Sequence, residues 1–177
     1  VAWSNRGLLP MFVVGADGAA SAVARQALTK EEAPPFVFAY HEIVRSPKPA
    51  DGATFDGRRC DVFYNGKLSP DFYAWIFPHG DTTSIGTGSA HKGFSLRGAV
   101  ADLRTATGMG QHETIRKEGA PIPLRPRRRW DNGRDVVLVG DAAGVVAPAS
   151  GEGIYYAMAS ARMAAQAAMK FLATGNA

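Results

Sequence analysis

The chain has 177 residues, 46% of them hydrophobic and 20% charged, with a formal net charge of +4. That is the composition of a folded globular chain with room for one sizeable core or two small ones. A single cysteine, Cys60, excludes an internal disulfide, and four scattered histidines without paired spacing argue against a metal site.

The basic balance suits anionic partners. Nucleic acid is set aside, because no recognition motif or aromatic-interleaved basic helix accompanies it. The densest basic run, Arg125, Arg127, Arg128 and Arg129, is broken by Pro126 and reads as a solvated connector. The opening VAWSNRGLLP lacks a basic stretch followed by a long apolar one, so no secretory signal is expected. It does not begin with Met, which points to a piece of a longer gene product.

In chain order, Met11 to Gly15 (MFVVG) is a short apolar run closed by glycine, a buried strand. It leads into ADGAASAVARQAL, where Ala22, Val23, Ala27 and Leu28 can share a helical face. Pro34 and Pro35 end that unit.

The next stretch is rich in aromatic and β-branched residues. Strands are expected at Phe36 to Arg45, Asp61 to Tyr64, Asp71 to Pro78 and Thr82 to Ala90, punctuated by Asn65-Gly66 and His79-Gly80-Asp81. Such closely spaced strands predict an antiparallel sheet. Ser95 reads as the N-cap of a helix running to about Ala106, with Leu96, Ala99, Val100 and Leu103 on one face and Gly108 as its stop.

His112 to Glu118 is a further candidate strand, and the proline-rich stretch Pro121 to Pro126 reads as an extended crossing. Asp135 to Gly140 is an apolar strand of the kind found in doubly covered parallel sheets. A glycine-rich loop and the apolar segment Ile154 to Leu172 follow. Arg162, Gln166 and Lys170 fall at i, i+4, i+8 and draw a polar stripe along that segment, so an amphipathic helix is expected rather than a membrane span. The sum is a mixed α/β chain: a partial Rossmann-like domain (1–35 and 121–177) interrupted by an antiparallel β-sheet domain (36–120).

Three constellations carry chemistry. In VVLVGDAAGVVAPASGEGI a strand delivers Gly140 and Asp141 at its C-terminal end, where open α/β sheets bind ligands. An aspartate there can accept hydrogen bonds from sugar or ribitol hydroxyls. Pro148 follows, and Gly151 and Gly153 at a helix start let backbone N–H groups approach an electron-rich ligand. The bland alternative is an ordinary strand–turn–helix corner capped by Ser150.

In the second constellation, Gly15, Asp17 and Gly18 close a strand and pass into a helix with Ser21 and Arg25 at i, i+4. Asp17 and Arg25 could bond each other or anionic cofactor groups. A tight turn with a surface ion pair explains them equally well. The third is Tyr73-Ala74-Trp75-Ile76-Phe77-Pro78. In a strand its three rings share one face over roughly 13 Å, an apolar wall suited to a hydrocarbon chain or simply a sheet core. Gly86-Thr87-Gly88 lies among strand-like residues and is rejected as a dinucleotide loop.

At these residues the sequence resembles a known family. GADGAASAVAR looks like the motif by which flavoprotein hydroxylases and their reductase relatives contact FAD and the nicotinamide cofactor. VGDAAGVVAPASGEGI looks like their second FAD motif, whose aspartate meets the ribitol. Tyr73-Ala74-Trp75-Ile76-Phe77-Pro78 matches the Y-x-W-x-F-P signature of geranylgeranyl reductases. FAYHEIVRSP and RWDNGRDVVLVGDAAG are similar to the chlorophyll and bacteriochlorophyll branch of that family. The resemblance runs from about Val13 to Phe171.

The resemblance implies an oxidoreductase that takes electrons from NADPH onto FAD and reduces a geranylgeranyl chain to phytyl. Its partner would be a prenyl diphosphate or a prenylated chlorophyll pigment. It implies that Gly15, Asp17, Gly18 and Arg25 help position the cofactors and that Gly140, Asp141, Pro148, Gly151 and Gly153 serve the flavin. Tyr73, Trp75 and Phe77 would line the prenyl pocket, with Tyr73 the candidate proton donor. A cytoplasmic protein with peripheral contact to photosynthetic membranes would follow. The family's G-x-G-x-x-G unit for the FAD pyrophosphate is missing from these 177 residues. Two rival readings are a related FAD-dependent aromatic hydroxylase and a non-catalytic prenyl-lipid or pigment-binding fragment.

Overall fold

The computed structural model describes residues 11–28, 33–48, 55–147 and 149–175. The chain divides into two compact units, one of Val1–Phe36 with Ile122–Ala177, the other of Val37–Pro121.

The first unit is built on a pair of parallel strands, β1 (Val13–Gly15) and β7 (Val136–Leu138), with Val13 opposite Val136 and Gly15 opposite Leu138. Helix α1 (Ala22–Ala27) follows β1, and helix α3 (Ile154–Thr174) follows β7 after a 3-10 turn at Gly140–Ala143. Ala24, Leu28, Leu138, Ala143 and Val145 form the core, with Val23 and Trp130 packed against it. Both strands are shorter than the apolar runs that encode them. Gly140, at φ 55°, leaves the extended region and starts the 3-10 turn.

The sequence predicts α3 within two residues of its observed end, but its packing differs from expectation. Only a narrow stripe of small residues, with Ser160 and Ala164 at its centre, is buried. Tyr155, Met158, Met163, Met169 and Leu172 are exposed. The i, i+4 polar stripe therefore does not mark the opposite of one broad buried face. No described helix is long and apolar enough to cross a membrane.

The second unit is a five-stranded sheet in the order β3-β4-β5-β2-β6. Its strands are β2 (Phe36–Arg45), β3 (Asp61–Phe63), β4 (Ala74–His79), β5 (Thr82–Ser89) and β6 (Thr114–Pro123). The pairs β3–β4, β4–β5 and β2–β5 are antiparallel. The first prolines of the predicted crossing belong to β6. Helix α2 (Leu96–Ala106) is capped by Ser95, whose Oγ accepts from Gly98 N at 3.1 Å.

One face of the sheet packs with α2 to form the core: Tyr40 and Val44 from β2, Ala74 and Ile76 from β4, Ile85 from β5, Val100 and Leu103 from α2. The two-residue alternation of a strand then commits His41, Trp75, Ser84, Gly86 and Gly88 to the other face. The strand register aligns them: Trp75 lies opposite Gly86 on one side and His41 opposite Gly86 on the other.

Candidate functional site

In the first unit the turn after β1 is fixed by Asp17. Its carboxylate accepts from Ser21 Oγ (2.5 Å), Ala22 N (2.7 Å) and Val23 N (3.1 Å). Burial acts to raise this carboxyl, but those three hydrogen bonds outweigh it and hold it below the usual range. Ser21 Oγ in turn accepts from Ala24 N at 2.9 Å. Arg25 donates to the Ala20 carbonyl, and among the described residues no ion pair joins it to Asp17. The sequence leaves open whether Asp17 and Arg25 pair with each other, and the structure gives each a separate local partner. Gly15 is set by packing, since a Cβ there would lie 2.6 Å from Leu138 Cδ2 and 2.9 Å from Val23 Cγ1. Gly18 sits at φ 77° in the turn.

The corner after β7 is different. Gly140 N donates to Ser160 Oγ at 3.0 Å, tying the 3-10 turn to α3. Asp141 is part-buried, and its carboxylate accepts no hydrogen bond from any described residue; burial alone pushes it above the usual carboxylate range. Gly153, not Ser150, is the N-cap of α3. A Cβ at Gly153 would stand 3.2 Å from Asp141 Oδ1, so this glycine keeps the space beside the carboxylate open. Gly151, at φ 66°, donates from its N–H to the Ala147 carbonyl, and Glu152 Oε1 accepts from Tyr155 N at 2.9 Å. Pro148 lies outside the described residues. A part-buried carboxylate needs hydrogen-bond donors. The hydroxyls of a ribitol chain are a fitting set of donors for Asp141.

In the second unit the aromatic run of β4 forms a ladder. Tyr64 and Tyr73 have ring centroids 5.9 Å apart, Tyr73 and Trp75 5.9 Å, and Trp75 and Phe77 6.0 Å. Phe72 stacks on Tyr73 at 4.3 Å. Trp75 is 9% exposed and forms the floor of the ladder, while Tyr73 and Phe77 are half-buried and Tyr64 is open to solvent. Tyr73 precedes the first residue of β4 yet keeps the face. Burial, with the Tyr64 ring beside it, raises its phenol.

Sequence reasoning missed the other half of this face. Trp75 Nε1 donates to Ser84 Oγ at 3.1 Å, and Ser84 Oγ is 2.9 Å from His41 Nδ1. His41 Nε2 is 3.1 Å from Glu118 Oε2, and Arg116 Nε is 3.1 Å from Glu118 Oε1. Beneath them lies Gly86, where a Cβ would come within 2.2 Å of Trp75 Cζ2 and 2.6 Å of His41 Cβ. The strand alternation in FVFAYHEIVR separates His41 from Tyr40, but joining it to Ser84 and Glu118 needs the register of three strands. Among the described residues no group of three His, Cys, Asp or Glu side chains could hold a metal ion.

Known structures share this fold. A geranylgeranyl bacteriochlorophyll reductase-like protein from Thermoplasma acidophilum superposes with a TM-score of 0.79 at 24% identity, covering 93% of this chain and 42% of that one. The flavin-dependent halogenase CmlS gives 0.63 at 21% identity over 93% of this chain and 31% of that one. A p-nitrophenol 4-monooxygenase from Pseudomonas putida gives 0.64 at 17% identity over 94% of this chain and 42% of that one. The fold is that of the flavoprotein monooxygenases, halogenases and their reductase relatives.

Sequence narrows the class. The chain is 57% identical to the geranylgeranyl diphosphate reductase of Rhodobacter capsulatus over 164 residues, 93% of this chain and 41% of that protein. It is 39% identical to the Synechocystis reductase of the same name, over 93% of this chain and 39% of that protein. Over that span the chain belongs to the geranylgeranyl reductase family. It covers about two fifths of the length of these curated relatives. No protein-family model matches it.

Proposed function

We propose that the chain is the middle and C-terminal part of an FAD-dependent reductase that saturates a geranylgeranyl chain to phytyl, with NADPH as the electron source. The observation that carries this reading is the aromatic ladder Tyr64–Tyr73–Trp75–Phe77 on the face of the sheet opposite α2. Such a ladder offers a prenyl chain an extended apolar surface. A related aromatic hydroxylase would share the Asp141 corner but gives no reason for an apolar strip of this length.

In this reading Asp141 accepts from the ribitol hydroxyls of FAD, and Gly153 leaves room for them beside its carboxylate. Gly140 and Gly151 shape the loops on either side. Bound and reduced, the flavin supplies a hydride to one alkene carbon. Asp17 holds the first turn of α1 in register, with Gly15 and Gly18 shaping its approach, and Arg25 presents a cation at the helix surface for an anionic cofactor group. Tyr73, Trp75 and Phe77 hold the prenyl chain and exclude water from it. The Tyr73 phenol, pushed up by burial, carries a hydrogen it can donate, and it is the candidate proton donor to the second alkene carbon.

The substrate is either the free geranylgeranyl diphosphate or its (bacterio)chlorophyll ester, which places the reaction in pigment synthesis and the protein at the surface of photosynthetic membranes. The names of the related reductases support the diphosphate. Supplying each substrate in turn to the complete gene product with FAD and NADPH tests the assignment. Phytyl product from one of them supports it, and hydroxylated product or none refutes it. Failure to sediment with anionic liposomes would refute the membrane contact.

A further inference from the structure

We propose that His41 is a positioning residue for the prenyl-binding wall: bonded to Glu118 on one side and through Ser84 to the Trp75 indole on the other, it holds that ring over Gly86. It thereby sets the contour a prenyl chain meets. The proposal rests on the prenyl reading above.

One histidine tautomer satisfies every donor and acceptor in this chain of contacts. An indole N–H can only donate, so Ser84 Oγ accepts from Trp75. The Ser84 hydrogen can then go to His41 Nδ1, 2.9 Å away, in the tautomer that leaves that nitrogen bare. In that tautomer His41 carries its hydrogen on Nε2 and donates it to Glu118 Oε2 at 3.1 Å. Arg116 anchors the far side of that carboxylate. The result is one directed run of hydrogen bonds from β6 through β2 and β5 to β4. Its outer end is solvated, with Glu118 43% and His41 28% exposed, while Ser84 and Trp75 at its inner end are buried.

Gly86 explains why Trp75 needs the strut. With no side chain at that position the indole lies directly above the backbone, and its hydrogen bond to β5 is the one to Ser84. Removing the acceptor for the Ser84 hydrogen leaves a buried hydroxyl free to turn away, and Trp75 loses the partner that fixes its rotamer. The groups facing His41 are Glu118 from β6, with Arg116 behind it, Ser84 from β5 and Trp75 from β4.

The test uses the complete gene product with FAD, NADPH and geranylgeranyl diphosphate, in wild type and in His41→Leu, His41→Asn and Ser84→Ala. His41→Leu and Ser84→Ala are expected to raise KM for the prenyl substrate about tenfold while kcat changes much less, as loss of uniform binding requires. His41→Asn, whose Oδ1 can take the place of Nδ1, is expected to restore most of the affinity. The second readout is the Trp75 indole N–H resonance in a ¹H–¹⁵N spectrum, expected to shift in His41→Leu and Ser84→Ala and to stay near its wild-type position in His41→Asn. If His41→Leu does not fold, Ser84→Ala carries both readouts. A wild-type KM in the variants, or an unmoved Trp75 resonance in Ser84→Ala, overturns the proposal alone. A wild-type protein that neither binds nor reduces the prenyl substrate overturns the functional reading, and this proposal with it.

Discussion

Arg104 of α2 reaches into the sheet and pairs with Glu42 of β2, the two side chains only 11% and 10% exposed. Arg104 also donates to Thr114 Oγ1 (2.7 Å) and to the carbonyls of Met109 and His112, while Tyr40 Oη donates to Glu42 at 2.7 Å. The network joins helix, sheet and the turn before β6 behind the wall that carries the aromatic ladder. Arg104→Met leaves the Glu42 carboxylate buried, with only Tyr40, Thr114 and the more distant Lys117 for company. A loss of about 3–5 kcal/mol is expected in urea unfolding. The double variant Arg104→Met with Glu42→Leu should lose less than the sum of the two single changes.

The same network sets a pH window. Burial acts to raise the Glu42 carboxyl, but the Tyr40 hydroxyl and Arg104 outweigh it and hold it below its ordinary range. A depressed carboxylate adds stability that is complete above its unfolded value and is lost as pH falls through the folded one. Tyr40 works at the other end: burial first, and then its bond to Glu42, push its phenol up to about 12 from an ordinary value near 10. Its contribution is complete below pH 10 and is lost as pH rises toward 12. Melting temperature against pH should show both limbs, with Tyr40→Phe flattening the alkaline one.

Gly86→Ala should disturb the ladder more than the core. The new methyl would stand 2.2 Å from Trp75 Cζ2 and 2.6 Å from His41 Cβ, and the second of these is not the far end of a flexible chain. A cost of about 1–3 kcal/mol is expected, with a changed near-ultraviolet circular dichroism spectrum from the displaced indole. An unchanged spectrum would mean that the indole does not rest over this glycine.

Asp141→Asn separates cofactor binding from folding. No described residue bonds the carboxylate, so the substitution should leave unfolding free energy unchanged or slightly raised. In the complete gene product FAD affinity should fall about tenfold or more, read from flavin fluorescence on titration. Equal affinity in the two proteins would remove Asp141 from the flavin site.

Much of this was legible from local pattern. The sequence locates β2 and β5, α2 with its Ser95 cap and Gly108 stop, and the face shared by Trp75 and Phe77, because each depends on neighbours within a few residues. What depends on pairing between distant strands was not. His41 reads as one of four scattered histidines until the register places it beside Ser84, 43 positions away, and Glu118, 77 positions away. Gly86 lies in the strand that the sequence predicts over Thr82 to Ala90, but it has its role only because an indole from β4 crosses it. The packing of α3 was misjudged for a related reason: composition shows that a helix is apolar but not how much of it this chain covers.

The most direct test of prenyl reduction follows the product. The complete gene product is incubated with FAD, NADPH and geranylgeranyl diphosphate, and the prenyl chain is analysed by mass spectrometry after hydrolysis of the diphosphate. Stepwise gain of hydrogen pairs ending at the phytyl chain is expected, with one nicotinamide oxidised per pair. Nicotinamide oxidation with an unchanged prenyl chain, or with oxygen incorporated into it, would contradict it.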